Sequence, residues 1–254
     1  MRIAAIYDIH GNASALEAVL QDIQRARVDV IVVGGDVVAG PMPRETLDLL
    51  LGSKIPMQFI RGNADREVMI EIQGEEIGGD VPDHVREVIA WTAEQLGPEH
   101  LAHLSSWQET LRLQVEGLGK VLFCHATPQN DTTVFTRLTP ETKLLPLFSG
   151  VNASVVVCGH THMQFDRIVG KVRVVNAGSV GMPYGEPGAH WLLLDDSHVV
   201  LQHTSYDLMS AAERIRATSY PQAEAFAVEN VLSTPSEAEA LEVFEPLALG
   251  GNER

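Results

Sequence analysis

The chain has 254 residues, 45% of them hydrophobic and 20% charged, with 34 acidic against 18 basic residues and a formal net charge of -16. That composition supports a hydrophobic core in one large domain or two small ones, while the negative field and the lack of basic patches argue against binding to a nucleic acid duplex. No run of eighteen apolar residues occurs, and MRIAAIYDIHGN meets Asp8 and His10 too early for a signal peptide, so a cytoplasmic protein without a membrane span is expected.

In chain order, RIAAIYD, SALEAVLQDIQRA, VDVIVVGGD, RETLDLLLG and IPMQFIRGN alternate short β-branched runs with helical patterns. Strand, helix, strand, helix, strand predicts a largely parallel sheet covered by helices, an α/β arrangement with its ligand crevice beyond the carboxyl ends of the strands. Residues 82–106 read as two helices punctuated by Gly97 and Pro98, so that 80–106 form a helical insertion that caps or flanks the sheet. A β-rich half follows: LRLQV, KVLFCHATP, a helical piece near 140–149, ASVVVCGHTH, FDRIVGKVRVVNAGS, HWLLLDD and HVVLQHTSYD. Its short connections predict antiparallel pairs. DLMSAAERIRATSY and SEAEALEVFEPLAL read as helices of a peripheral extension, residues 206–254, and GGNER as a frayed end. Cys124 and Cys158 each end an apolar run. Two thiols exclude a disulfide scaffold, and both read as small hydrophobes in buried strands.

Five loops that follow predicted strands concentrate metal-ligand side chains: YDIHGN with Asp8 and His10, GGDVVAG with Asp36, IRGNAD with Asn63, FCHATP with His125, and CGHTH with His160 and His162. In an extended segment residues two apart point the same way, so Asp8 with His10, and His160 with His162, can each put two ligands on one side. Carboxylate oxygen mixed with imidazole nitrogen suits borderline transition metals such as zinc, manganese or iron, and the absence of thiolates argues against a structural zinc site. One such histidine is more often a hydrogen-bonded loop residue than a ligand. The whole set at one predicted edge points to metal.

The ordered motifs DxH, GDxxxxG, GN, H and GHxH resemble those of the calcineurin-like metallophosphoesterase superfamily over roughly residues 1–205, and DIHGN, RGNAD, GHTH and NAGSVG are similar to its small bacterial phosphodiesterase and phosphatase branch. The resemblance implies a central mixed β-sandwich flanked by helices, with the site at the C-terminal ends of the strands. It implies one metal held by Asp8, His10, Asp36 and His162, and a second held by Asp36, Asn63, His125 and His160, with Asp36 bridging. Spacing alone would equally allow His160 and His162 on one ion. The implied cofactors are two divalent or trivalent ions, manganese or iron, with zinc or nickel also compatible. The implied reaction is hydrolysis of phosphodiesters or phosphomonoesters of small molecules, nucleotides first among them, by a metal-activated hydroxide.

Asp36, Asn63 and Asn12 are the catalytic candidates under that resemblance, and Asn12 and Arg61 are the candidates for contacting substrate phosphate. The plainer readings are that Asn12 ends the turn after Gly11 and that Arg61 pairs with Asp65, the latter slightly favoured. Asn176 is read as a support for the histidine loops. Ala64 departs from the pattern, since many members place there a histidine that serves the leaving oxygen. His84, His100 and His103 could overhang the cleft in its stead, against the plainer reading as surface residues. The competing function is a non-catalytic interaction module that keeps the fold. It predicts eroded ligands, and all seven positions are intact. An amidohydrolase would need a barrel pattern of about eight repeats, which the chain lacks.

Overall fold

The computed structural model describes residues 1–78 and 81–248. The expected frayed end, residues 250–254, and Asp80, the first residue of the expected helical insertion, lie outside the described residues.

Strands β1 (Arg2–Ile6), β2 (Val30–Val33) and β3 (Met57–Phe59) run parallel, with Ile3 opposite Val30 and Ile31 opposite Met57. The hairpin of β9 (Ala189–Asp195) and β10 (His198–Thr204) adds antiparallel to the free edge of β1, giving the order β10-β9-β1-β2-β3. The second sheet has the order β4-β5-β6-β8-β7. Its inner strands β5 (Gly119–Cys124), β6 (Val155–Cys158) and β8 (Val172–Asn176) are parallel, while the edge strands β4 (Thr110–Val115) and β7 (Phe165–Val169) are antiparallel. Both the parallel half and the antiparallel pairs expected from the sequence are present, as two mixed sheets.

Strand periodicity sorts the core into layers. Ile3, Ala5 and Tyr7 from β1 and its end, Val32 from β2, Val121 and Phe123 from β5, and Val155 and Val157 from β6 meet between the sheets. Their alternates face outward: Ala4, Ile6, Ile31 and Val33 join the helices on one side, and Leu122, Cys124, Val156 and Cys158 join α6 (Glu141–Phe148) on the other. Strands buried on both faces need unbroken apolar runs, which is why VIVV and VVVC lack alternation. Both cysteines are buried and free, and burial pushes their thiols up.

Helices α1 (Ala13–Ala26) and α2 (Pro43–Leu51) cover the first sheet, α1 through Leu16, Val19 and Ile23 at helical spacing and α2 entered at Pro43. Helices α4 (Asp83–Gln95) and α5 (Pro98–Ser105) supply Ile89 and Leu104 to that same core, so they flank the sheet. Two helices go beyond the sequence reading. Helix α3 (Asn63–Ile72) buries only Asp65, Val68 and Met69, too narrow a face to stand out as a pattern. Helix α8 (Ala223–Phe226) runs into a π-helical turn, Ala227–Leu232, and that change of period hides both from a 3.6-residue reading. Helix α7 (Leu208–Arg216) and the α8 region pack on Ala13 and Met42, whereas α9 (Glu237–Leu247) sits against Met163 and Tyr184. No described helix is long and apolar enough to cross a membrane.

Candidate metal centre

The carboxyl ends of β1, β2, β5 and β6 converge where the two sheets meet. Two groups of ligand side chains form there, Asp8 with His10 and His162, and Asp36 with His125 and His160, the ligand atoms of each group lying within 4.8 Å of one another. Each group draws on both sheets. One oxygen of Asp36 faces both, with Oδ2 3.3 Å from His125 Nε2 and 3.8 Å from His10 Nε2. His162 Nε2 lies 3.5 Å from Asp8 Oδ1 and 3.2 Å from His10 Nε2. The Asn63 amide, at the head of α3, stands 3.1 Å from His160 Nδ1 and 3.2 Å from His125 Nε2.

The backbone at these positions is not extended, which corrects the expectation that paired ligands point together because they lie two apart on a strand. Among the described residues, seven other than glycine have positive φ, and five of them are Asp8, His10, Asp36, His160 and His162. Such left-handed positions cost on the order of 1–3 kcal/mol each. They are held by hydrogen bonds between loops, including His10 N–H to Asp36 O at 2.9 Å and Gly181 N–H to Asp8 O at 3.0 Å. The consequence is that His160 and His162 diverge to different groups, while Asp8 and His10 share one. Backbones also approach the carboxylates closely. A Cβ on Gly159 would lie 2.3 Å from Asp8 Oδ2, and one on Gly62 would lie 2.2 Å from Asp36 Oδ1. The space thereby left free lets His160 N–H donate to Asp8 and Ala64 N–H donate to Asp36, both at 2.8 Å.

Every histidine in the pair of groups donates one ring N–H to a main-chain carbonyl: His10 Nδ1 to Ala39, His125 Nδ1 to Gly34, His162 Nδ1 to Met182 and His160 Nε2 to Thr132, at 2.8 to 3.2 Å. Such bonds fix the tautomer and aim the other nitrogen's lone pair into the site. Among the described residues Asp8 Oδ1 is buried without a hydrogen-bond partner. An orphaned carboxylate oxygen surrounded by aimed imidazole nitrogens is what a bound cation satisfies, so the residues present fit two metal ions.

Charge follows the same pairing. Burial opposes ionisation of Asp36, yet His125 and then His10 hold it far below the usual carboxylate range, and Asp8 is lowered against its burial by His162 and then His125. Burial would depress His125, but Asp36 and Asp8 push it up to about 10, and Asp8 raises His162 in the same way. Burial and neighbouring His125 take His160 down to about 4, and burial with His162 lowers His10. Each group thus sets a carboxylate of lowered pKa against one ring of raised pKa.

Several expectations meet different partners. Asn12 is fully buried; its Oδ1 caps α1 by accepting from Ala15 N–H, and its Nδ2 donates to Gly181 O and the Tyr206 hydroxyl. Asn12 thus serves as a helix cap and loop tie here, the plainer of its two expected roles. The expected Arg61–Asp65 pair is also absent. Asp65 accepts from the backbone of Val37, Val38 and Gly62, and Arg61 reaches the exposed Glu109 at 3.5 Å. Burial and then Asp36 push Asp65 up to about 7, against those three N–H donors. Asn176 supports the histidine loop, donating to Gly159 O at 2.7 Å and Thr161 Oγ1 at 3.1 Å. His84 and His103 are exposed on the flanking helices, and His100 accepts from Gly97 N–H at the start of α5. The sequence reading passed over Ser179, whose hydroxyl donates to Asp8 O and accepts from Met182 N–H, and the Arg66–Asp131 pair. Arg66 stands three residues after Asn63, a helical spacing that would have placed it beside the ligand had α3 been read.

A sequence profile of the calcineurin-like phosphoesterase superfamily domain matches residues 1–199. The chain is 28% identical over 239 residues to the uncharacterized protein MJ0912 of Methanocaldococcus jannaschii, across 87% of this chain and 94% of that one. Among solved structures, the hypothetical protein PH1004 from Pyrococcus horikoshii OT3 superposes with a TM-score of 0.79 at 21% identity, covering 92% of this chain and 99% of that one. At that identity the likeness is one of fold. A metallophosphoesterase from Sphaerobacter thermophilus superposes with a TM-score of 0.68 at 26% identity, covering 90% and 97%.

Proposed function

Since the chain belongs to the calcineurin-like phosphoesterase superfamily, we propose that it is a hydrolase of phosphodiesters or phosphomonoesters of small molecules, nucleotides first among them, working with two metal ions. The observation that supports this most directly is the pair of ligand groups, each drawn from both sheets, around the unpartnered oxygen of Asp8. Asp8, His10 and His162 with Asp36 would hold one ion, and Asp36, Asn63, His125 and His160 the other. Manganese or iron suits this oxygen and nitrogen set, with zinc or nickel also compatible. Two such cations, when bound, supply Lewis acidity and lower the pKa of a water toward neutrality.

The chain's own groups do the rest. Asp36, with Oδ2 facing both groups, would hold both ions, and the N–H of Ala64 fixes its other oxygen. Asn63 completes the second set and orients a phosphate oxygen beside it. Arg61, half-buried with one outer-limit contact to Glu109, supplies a guanidinium for substrate phosphate. Residues 1–205 form the catalytic unit, and the segment from 206 onward is an extension packed on it.

The test is hydrolysis of bis(p-nitrophenyl) phosphate and p-nitrophenyl phosphate with added manganese. Turnover that requires the metal is expected, and its absence on every phosphoester tried would sink the proposal. Asp36→Asn is expected to lower metal affinity in both groups and activity by at least about a hundredfold while leaving the circular dichroism spectrum unchanged. Wild-type rates at limiting manganese would rule out a bridging Asp36.

A further inference from the structure

Between the first turn of α3 and the loop at 127–131 lies a cavity of about 210 Å³ whose wall includes His125. Two guanidinium groups face it, Arg61 and Arg66, and its other charges are Glu109 and Asp131. Asp131 accepts from Arg66 Nε at 2.8 Å and Nη2 at 3.3 Å, and its main-chain oxygen lies 3.2 Å from the Asn63 amide. This bidentate pair therefore anchors Arg66 at the edge of the second ligand group. Glu109 is 85% exposed, so water screens its charge from Arg61. In a chain of net charge -16, a cavity wall with two arginines against two carboxylates, Arg61 only loosely paired, repels an anion less than the rest of the surface does.

None of the described groups at this wall is placed to give a proton to a departing oxygen. Asp131 is held as an acceptor by Arg66, and Glu109 lies in water. His125 spends one nitrogen on Gly34 O and aims the other at Asp36. Thr127 is engaged with Gln129 and Asn130. Ala64, next to Asn63, has no polar side-chain atom. An alkoxide leaving without general acid help forgoes about a hundredfold to ten-thousandfold in rate. A phosphate, whose second pKa is about 6, departs as an anion and needs no such donor.

Resting on the phosphoesterase reading above, we propose that this cavity is an anion subsite for a leaving phosphate, so that the substrates are compounds with phosphates joined by an anhydride bond, such as a nucleoside di- or triphosphate. In that reaction the oxygen of water bonds to the scissile phosphorus and the bond from phosphorus to the bridging oxygen breaks. The electron pair stays on the leaving phosphate, one water proton passes to solvent and the other remains on a product phosphate. Arg61, through its planar fork, and Arg66, through the N–H groups that Asp131 leaves free, receive the charge that develops on the leaving group.

The test compares calorimetric binding of methylenediphosphonate and methylphosphonate to the manganese-loaded protein. At least tenfold tighter binding of the diphosphonate is expected, with Arg66→Ala bringing the ratio of the two affinities to near one. Arg61→Gln, at a residue whose side chain makes one polar contact among the described residues, to Glu109 at 3.5 Å, is expected to lower that ratio without disturbing the loop. Equal affinities in the unaltered protein, or a ratio unchanged in both variants, would overturn the subsite. Kinetics separates this inference from the reading it rests on. Hydrolysis of bis(p-nitrophenyl) phosphate without faster cleavage of ADP than of glycerol 3-phosphate sinks the anhydride substrate alone, and no metal-dependent hydrolysis of any of the three sinks both.

Discussion

His125 keeps its proton to about pH 10 because Asp36 and Asp8 face it in a buried site. A ring whose pKa is raised on folding contributes stability fully below its ordinary value near 6.5 and loses it as pH climbs through the raised one. With metals stripped by chelation, the melting temperature is expected to fall between pH 8 and pH 10; with metals bound, His125 is neutral and that fall disappears. For the same reason metal binding near neutral pH is expected to displace a proton from His125, so affinity rises with pH. Titration calorimetry in two buffers of different ionisation heat reads this directly, and identical heats would contradict it. Ala64 sits one residue beyond Asn63 with its N–H on Asp36. Ala64→His is expected to raise the rate on an alkyl phosphoester by up to about a hundredfold with little change on p-nitrophenyl esters, whose leaving group needs no proton. A uniform change across both would show that the added ring acts some other way.

At the scale of elements, the loop after β8 works as a brace between strand ends. Ser179 is fully buried and joins Asp8 O at 2.7 Å to Met182 N–H at 2.8 Å, and Met182 O in turn receives His162 Nδ1–H. One hydroxyl therefore holds both the left-handed turn that presents Asp8 and the acceptor that aims His162. Ser179→Ala is expected to weaken metal binding in the Asp8 group by about 10–100-fold and to leave the Asp36 group largely intact. Elemental analysis after dialysis would then find about half the metal of the unaltered protein, and full retention would remove Ser179 from this role. The C-terminal elements bear on the centre in a different way. Tyr206, at the end of the β-rich half, accepts from Asn12, and α9 reaches the site through Phe244, Tyr184 and then His162, and through Met163 beside His162.

At the scale of the whole molecule, the two sheets share one inter-sheet core and one set of ligands. Asp8, His10 and Asp36 come from the first sheet, and His125, His160 and His162 from the second. Metal held by both groups would therefore cross-link the layers and couple to global stability. Manganese at a thousand times its Kd stabilises by about 4 kcal/mol, which for a chain of this size raises the melting temperature by on the order of 10 °C. Calorimetric scans with manganese and with a chelator check this, and coincident transitions would mean that the ligand groups do not bridge the sheets.

The amino-acid order by itself determined which residues could be ligands and that they would meet at strand ends, because apolar runs ending in Asp8, Asp36, His125 and the GHTH stretch leave polar side chains at one rim of buried strands. It determined the alternation of strands and helices for the same reason. The spacing of the candidate ligands left open which of them gather in one group; the tertiary structure separates His160 from His162, since left-handed turns at Asp8, His10, Asp36, His160 and His162 break the two-residue periodicity on which a strand-based reading relies. The fates of Asn12 and Arg61 were also decided there. Their partners, Gly181, Tyr206 and Glu109, lie from 48 to 194 residues away in the chain, and no local pattern reports a contact made by packing.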